Sequence, residues 1–212
     1  TGGEFDGVLA KIEGLYCDLE PYQFATDYYS ETVRTIEMAD LAMKIAGLYI
    51  EGHEEGVVNF DQQKASEIME SFYKDYHLPI DKECFVAVMT EFDKNMSAEF
   101  KPAYFKEKMK KYGSAQKWAD AIFGKSIFAD RAKVEKVLAG AGSPKAAAKT
   151  RKAIAADPAT EFATEFAKWY AADVQPHTTR LNQELQLAYR DYMRGQMVYC
   201  RTQRVPKAFY PD

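Results

Sequence analysis

The longest helical pattern in the chain lies in residues 157–204, which read DPATEFATEFAKWYAADVQPHTTRLNQELQLAYRDYMRGQMVYCRTQR. Asp157 followed by Pro158 indicates a helix start, because Asp caps the first amides and a proline in the first turn loses no hydrogen bond. Pro176 should end or kink this helix near Gln175, since proline donates no hydrogen bond and restricts the residue before it. On both sides of Pro176 the apolar positions recur at helical spacing: Phe162, Phe166, Trp169, Tyr170 and Val174, then Leu181, Leu185, Ala188, Tyr192, Gly195 and Tyr199.

A helix of this length cannot bury its own apolar stripe. The part after Pro176 alone would extend about 40 Å. Intrinsic helix propensity alone gives an isolated helix little stability in water, so the earlier helices are expected to pack on this one. The sequence therefore predicts an all-α, irregular multi-helix domain over residues 1–212, organised on a long C-terminal helix.

Shorter helical patterns precede this segment. No segment alternates apolar and polar residues as a strand does, which supports the all-α class. Gly140–Pro144 is predicted to be a flexible break, and residues 205–212 an extended tail. Full ranges are predicted for helices at 5–16, 21–50, 103–112, 114–122, 130–140 and 145–156. Two more helices are predicted from their starts, at an Asn59–Gln62 capping box and near Asp81. Loops are predicted at 52–56 and 123–128.

Composition narrows the functional classes. The chain is 47% hydrophobic and 14% aromatic, which is typical of a packed core rather than of disorder. A net charge of −4 disfavours nucleic-acid binding, which needs a basic face. No apolar run approaches the length of a membrane span. The chain begins without Met, which suggests that it is part of a longer protein.

Metal and disulfide chemistry receive little support. Cys17, Cys84 and Cys200 show no CxxC spacing, and buried free thiols are favoured over a disulfide. His53-Glu54 invites comparison with a zinc helix, but Val57 stands where the second histidine is required. The other histidines, His77 and His177, lie beside turns. We therefore expect no metal site and no cofactor.

Other candidate motifs are also better explained structurally. Gly124-Lys125-Ser126 resembles the end of a phosphate-binding loop, but Ala119 replaces the glycine that the motif needs. The aromatic surplus is assigned mostly to the core. No residue is predicted to be catalytic. The acidic pair Glu161 and Glu165 is expected to face water, as is a basic helix face with Lys106, Lys108, Lys110 and Lys111.

Three stretches together resemble a known family. They are Phe123–Asp130 (FGKSIFAD), Tyr189–Met197 (YRDYMRGQM) and Phe209–Asp212 (FYPD), in this order and separated by segments with helical patterns. In combination they resemble the dipeptidyl-peptidase 7 and dipeptidyl-peptidase 11 family of bacterial serine exopeptidases, serine peptidase family 46. The resemblance spans nearly the whole chain.

This resemblance implies a function and partners. Members carry a large helical domain inserted into a chymotrypsin-like double β-barrel, where it covers the catalytic cleft and restricts cleavage to dipeptides at a free N-terminus of oligopeptides. The His, Asp and Ser of the triad lie in the barrel, so this chain alone should be inactive. The implied partners are the barrel of the same parent chain and an oligopeptide substrate, in a homodimeric parent.

The resemblance also implies a location and a contact surface. The location is the periplasm or cell surface of a Gram-negative bacterium, and the tail at 205–212 would lead toward the second barrel. A helical domain cut from its barrel should expose an apolar patch. The residues expected in this interdomain contact are Tyr199, Val205, Phe209 and Tyr210.

A second interpretation stays open at this point. The chain could be an independent helical scaffold or adaptor that binds a partner along the long helix at 157–204. A reading frame that closes near both ends of the chain would favour this interpretation. The family resemblance favours the peptidase domain.

Overall fold

The structure is a computed structural model that describes residues 3–53 and 57–202. It divides into two compact units, residues 1–26 with 171–212 (unit 1) and residues 27–170 (unit 2). The elements in chain order are α1 (Val8–Thr35), α2 (Glu37–Ala46), β1 (Tyr49–Glu51), β2 (Val58–Phe60), α3 (Gln62–Asp75), α4 (Leu78–Asn95), α5 (Ala103–Tyr112), α6 (Ala115–Lys125), a 3-10 turn (Ile127–Ala129), α7 (Arg131–Ala139), α8 (Pro144–Ala155), α9 (Pro158–Trp169), a π turn (Tyr170–Val174) and α10 (Gln175–Thr202).

Helix α1 joins parts of two predicted helices and ends earlier than predicted. It runs unbroken through Pro21, where a restart was predicted, and it stops at Thr35, where continuation to residue 50 was predicted. A proline inside a helix costs about 3 kcal/mol. Leu19 and Ala25, on either side of Pro21, are both buried, and this burial offsets the lost hydrogen bond.

The break after α1 has a tertiary cause. Ile36 is extended and buried, and α2 starts directly after it. The Ile36 side chain makes no hydrogen bond that would cap α2. The cap comes from Asp81 in α4, whose Oδ1 accepts from the Glu37 amide (2.8 Å) and whose Oδ2 accepts from the Met38 amide (3.0 Å). Burial raises the pKa of the Asp81 carboxyl, while these amides oppose the rise. A buried carboxylate distant in sequence therefore decides where α2 begins.

A small hairpin was missing from the sequence prediction. Strands β1 and β2 pair antiparallel with Tyr49 opposite Phe60, and the Gly52 amide donates to the Val57 carbonyl at 2.8 Å. A Cβ on Gly52 would lie 2.6 Å from Cγ1 of Val57, so this turn requires glycine. The predicted capping box at Asn59 is wrong, because Asn59 lies in β2. Asp61 caps α3 instead, accepting from the Lys64 amide.

The core of unit 2 is aromatic, as predicted from composition. Rings from α4, α6 and α9 meet edge to face, for example Phe85 with Trp118 at 5.3 Å between centroids. Such pairs add stabilisation beyond the area that they bury. The fully buried members of this core include Phe85, Phe92, Phe105, Trp118, Phe162 and Phe166.

Most of the predicted helix boundaries in the second half are confirmed. Ser114, Asp130, Ser143 and Asp157 each cap the helix that follows them. Gly113 ends α5 with φ of 76°, the left-handed conformation that glycine tolerates. The predicted loop at 123–128 is wrong at its start, because α6 continues to Lys125.

The predicted interruption at Pro176 is also confirmed. Proline at this position cannot donate to the carbonyl of Ala172. The backbone accommodates this by widening into the π turn at Tyr170–Val174, after which α10 starts at Gln175.

Candidate functional site

Unit 1 is an antiparallel pair formed by the first part of α1 and α10. Ile12, Leu15 and Leu19 of α1 form a buried cluster with three residues of α10. At one end of the pair, Tyr22 stacks on His177 with ring centroids 4.6 Å apart. At the other end, the Phe5 ring lies against Gly195, and Glu4 forms an ion pair with Arg194. The α10 members of the cluster are Leu181, Leu185 and Ala188. The prediction that earlier helices pack on the long helix is thus confirmed within unit 1.

The apolar side of α10 continues past the end of this cluster, but there it is no longer buried. Tyr199 lies on the same helical side as Leu181 and Leu185, yet 56% of it is exposed. The described part of α1 therefore leaves it uncovered. Tyr199 is one of the four residues predicted for an interdomain contact. The other three, Val205, Phe209 and Tyr210, lie outside the described residues.

A second apolar face on the same helix pair was not predicted. It consists of Tyr16 on α1 with Tyr189, Met193 and Met197 on α10, and we call it the tyrosine–methionine face. These four residues are 41–51% exposed. The two tyrosines meet through their hydroxyls at 2.9 Å, with rings edge to face, and this hydrogen bond raises the pKa of Tyr189. Spacing of four residues from Tyr189 to Met197 was a signal that sequence reading could have used.

This face is suited to binding a protein surface rather than to chemistry. Methionine side chains adapt to irregular surfaces, and tyrosines combine a large apolar ring with a polar hydroxyl. A contiguous exposed apolar patch of this kind typically marks an interaction site. Its four side chains carry no carboxylate, imidazole, amine or thiol, so the face fits contact with a partner better than catalysis.

The three histidines occupy unrelated structural positions. His53 is exposed after β1, His77 precedes the first turn of α4, and His177 is stacked on Tyr22. Among residues 3–53 and 57–202, no three His, Cys, Asp or Glu side chains come close enough to hold a metal ion. No helix within those same ranges is long and apolar enough to cross a membrane.

One buried serine contacts an aspartate, and the contact is structural. Ser126 Oγ donates to Asp157 Oδ1 at 2.8 Å, and the Ile127 amide donates to Oδ2 at 2.8 Å. Both side chains are buried. The same carboxylate accepts from the Ala159 amide and caps α9. Asp157 thus joins the start of α9 to the turn after α6. Ser126, which lies within FGKSIFAD, is one of the donors in this link.

Two predictions about polar side chains need correction. Lys108 was predicted to lie on a solvated face, but its side chain is only 12% exposed, with Nζ 2.8 Å from Glu161 and 4.8 Å from the Tyr104 ring centroid. Glu161 therefore contacts this lysine rather than water alone. The cysteines are free thiols, yet the prediction that they are buried is wrong, since Cys17 is exposed and Cys84 and Cys200 are half-buried.

Comparison with known proteins identifies the family of this helical chain. The family model for peptidase S46 matches residues 1–212. The chain belongs to the peptidase S46 family. This confirms the resemblance drawn from the three sequence stretches, and with it the prediction of an all-helical domain from a peptidase of this family.

Peptidase S46 relatives are much longer than this chain. The Asp/Glu-specific dipeptidyl-peptidase of Flavobacterium psychrophilum is 24% identical over 212 residues, 99% of this chain and 28% of the relative. The enzyme of the same name from Capnocytophaga gingivalis is 24% identical over 195 residues, 91% of this chain and 26% of the relative. The chain thus spans about a quarter of the curated relatives that it matches.

A solved structure shows the same helical fold. The crystal structure of Porphyromonas endodontalis DPP11 superposes with a TM-score of 0.65 at 21% identity, covering 90% of this chain and 26% of that one. Its complex with the dipeptide Arg-Glu gives a TM-score of 0.64 at 22% identity, over 90% of this chain and 26% of that one.

Proposed function

We propose that this chain is the helical domain of a serine dipeptidyl peptidase, which covers the catalytic cleft and restricts substrates to peptides with a free N-terminus. One observation carries the proposal: the peptidase S46 model matches the whole chain, while the relatives named dipeptidyl-peptidases are more than three times as long, since 99% of this chain covers 28% of one and 91% covers 26% of the other. The catalytic groups would then lie in the remainder of the parent protein, in a chymotrypsin-like double β-barrel.

In this proposal the helical domain positions the substrate, and the barrel carries the catalytic residues. If the free amine of the substrate is held two residues from the scissile bond, that bond lies at the reacting groups and each cleavage releases a dipeptide. The barrel would supply Ser, His and Asp for acyl transfer. A homodimeric parent in the periplasm or at the cell surface belongs to the same proposal.

The tyrosine–methionine face is proposed as the surface that contacts the barrel. It brings together four exposed apolar side chains of the described part of unit 1, while Tyr199 is exposed on another side of α10. Burying such side chains against a partner contributes about 25 cal/mol for each Å² of apolar surface removed from water.

The test compares two substrates in the parent enzyme. The parent should release dipeptides from a free-amine oligopeptide and leave its N-acetylated counterpart intact. Acidic peptides are the first to try, since both curated relatives are named Asp/Glu-specific. The purified 212-residue chain should release nothing from either peptide. Dipeptide release by this chain, abolished by a serine-reactive inhibitor, would contradict the proposal.

A further inference from the structure

Helices α7 and α8 concentrate positive charge in an otherwise acidic chain. Residues 131–156 hold seven of the 28 Lys and Arg residues and one of the 32 Asp and Glu residues, so their formal charge is +6 against −10 for the rest. This separation of charge contrasts with the interspersed charges of an ordinary solvated surface.

The structure shows which of these charges lack an acidic partner. Arg131 pairs with Glu135, and Arg151 pairs with Glu51 on the hairpin. The remaining five cations are exposed, and none of them forms an ion pair within the described ranges. They are Lys133, Lys136, Lys145, Lys149 and Lys152.

Three of these lysines share one side of α8. Helix α8 buries Ala147, Thr150 and Ile154 against the rest of unit 2. Lys145, Lys149 and Lys152 recur at steps of four and three on the opposite side, and we call them the lysine stripe. At 1.5 Å per residue, the stripe has spacings of about 6 and 4.5 Å and a length of about 10 Å.

We infer that the lysine stripe is an encounter surface for acidic oligopeptides, which it attracts toward the parent enzyme. The inference rests on the proposed function, since it supposes that oligopeptides are the substrates. In an extended peptide, side chains on one side repeat about every 7 Å. Carboxylates at alternate positions therefore match the lysine spacing within the reach of a flexible lysine side chain.

The charge distribution favours a short ligand over a long polyanion. Fields from exposed charges decay over about 8 Å at physiological salt, so a peptide of a few residues senses mainly the local lysines. A nucleic acid would extend further and meet the acidic remainder of the chain. Residues 131–156 expose no large apolar side chain that could enter a membrane.

The expected role is steering rather than tight binding. Each exposed ion pair contributes little, because water and salt screen it. A cluster of like charges nevertheless raises the local concentration of an oppositely charged ligand and accelerates encounter. Binding through the stripe should therefore be weak and strongly salt-dependent.

Peptide binding to the 212-residue chain tests the inference without any turnover. The probe is a short fluorescent peptide that alternates Glu and Ala, compared with one that alternates Gln and Ala, at about 10 mM and about 150 mM salt. The K145Q/K149Q/K152Q variant should bind the Glu peptide about 3- to 10-fold more weakly at low salt. Gln has a helix propensity close to that of Lys, so α8 should persist, which circular dichroism checks.

The matched control is K106Q/K110Q, which removes two exposed lysines from one side of α5. It should change binding less than 2-fold if the stripe acts locally. Equal loss in both variants, or equal binding of the Gln peptide, would overturn the inference. Because this assay requires neither a barrel nor catalysis, its failure would leave the proposed function standing, and inactivity of the parent would leave the binding result standing.

Discussion

Asp130 and Asp157 give similar sequence signals but differ in burial and in the number of hydrogen bonds that they accept. Each precedes a helix and accepts hydrogen bonds from its first amides. Asp130 is exposed, whereas Asp157 is buried and also accepts from Ser126 Oγ and the Ile127 amide. Removal of a buried acceptor leaves its donors without partners, which costs more than the loss of an exposed bond.

Asp157→Ala should therefore lower the free energy of unfolding of unit 2 by about 2–4 kcal/mol. Asp130→Ala, the matched control, should cost about 1 kcal/mol. Both tryptophans, Trp118 and Trp169, lie in unit 2, so urea unfolding followed by tryptophan fluorescence reports on this unit. Equal losses in the two variants would show that the link to Ser126 contributes nothing.

The α1–α10 pair is held together by one apolar stripe. Leu185 is buried in the cluster with Ile12, Leu15 and Leu19, whereas Leu187 on the same helix is 53% exposed. A two-helix pair has little other core, because most of the circumference of each helix faces outward. Its stability should be correspondingly sensitive to truncation of the stripe.

Leu185→Ala should destabilise the pair by about 2–4 kcal/mol, since it removes buried methyl groups and leaves a cavity. Leu187→Ala should change stability by less than about 0.5 kcal/mol. Amide hydrogen exchange, measured for peptides from the first half of α1 and from α10, separates this effect from unit 2. Unchanged protection in Leu185→Ala would show that the cluster does not hold the pair together.

In the whole molecule, the tyrosine–methionine face is the surface proposed to contact the barrel. Met193 and Leu187 are almost equally exposed, at 51% and 53%. They are six positions apart in the helix, which places their side chains about 120° apart around α10. They therefore provide a matched pair for locating the proposed contact with the barrel.

In the proposed parent peptidase, Met193→Glu should lower kcat/KM for a free-amine peptide by about 10-fold, because a charge in an apolar contact is poorly solvated. Leu187→Glu should lower it by less than about 2-fold. Circular dichroism of the 212-residue chain checks that both variants fold. An equal effect of the two substitutions would place the contact elsewhere on unit 1.

Local sequence signals were sufficient for most of the helices. Side-chain caps such as Ser114 and Asp157 act within the following few residues, and the apolar period marks the buried side of each helix, so both can be read from the chain. The prolines show the limit of such signals. Pro176 interrupts its helix as predicted, but Pro21 does not, because the flanking Leu19 and Ala25 are buried.

The helical class, the long C-terminal helix with its interruption and the three stretches behind the family resemblance could all be read from the chain, because each signal lies within a few consecutive residues or one helical period. The start of α2, the position of the hairpin and the exposure of Tyr189 and Met193 became visible only in the folded chain. The cap on α2 comes from Asp81, 43 residues beyond the Met38 amide that it binds. Which apolar stripe is covered depends on the helix that packs beside it, and local spacing does not encode that choice.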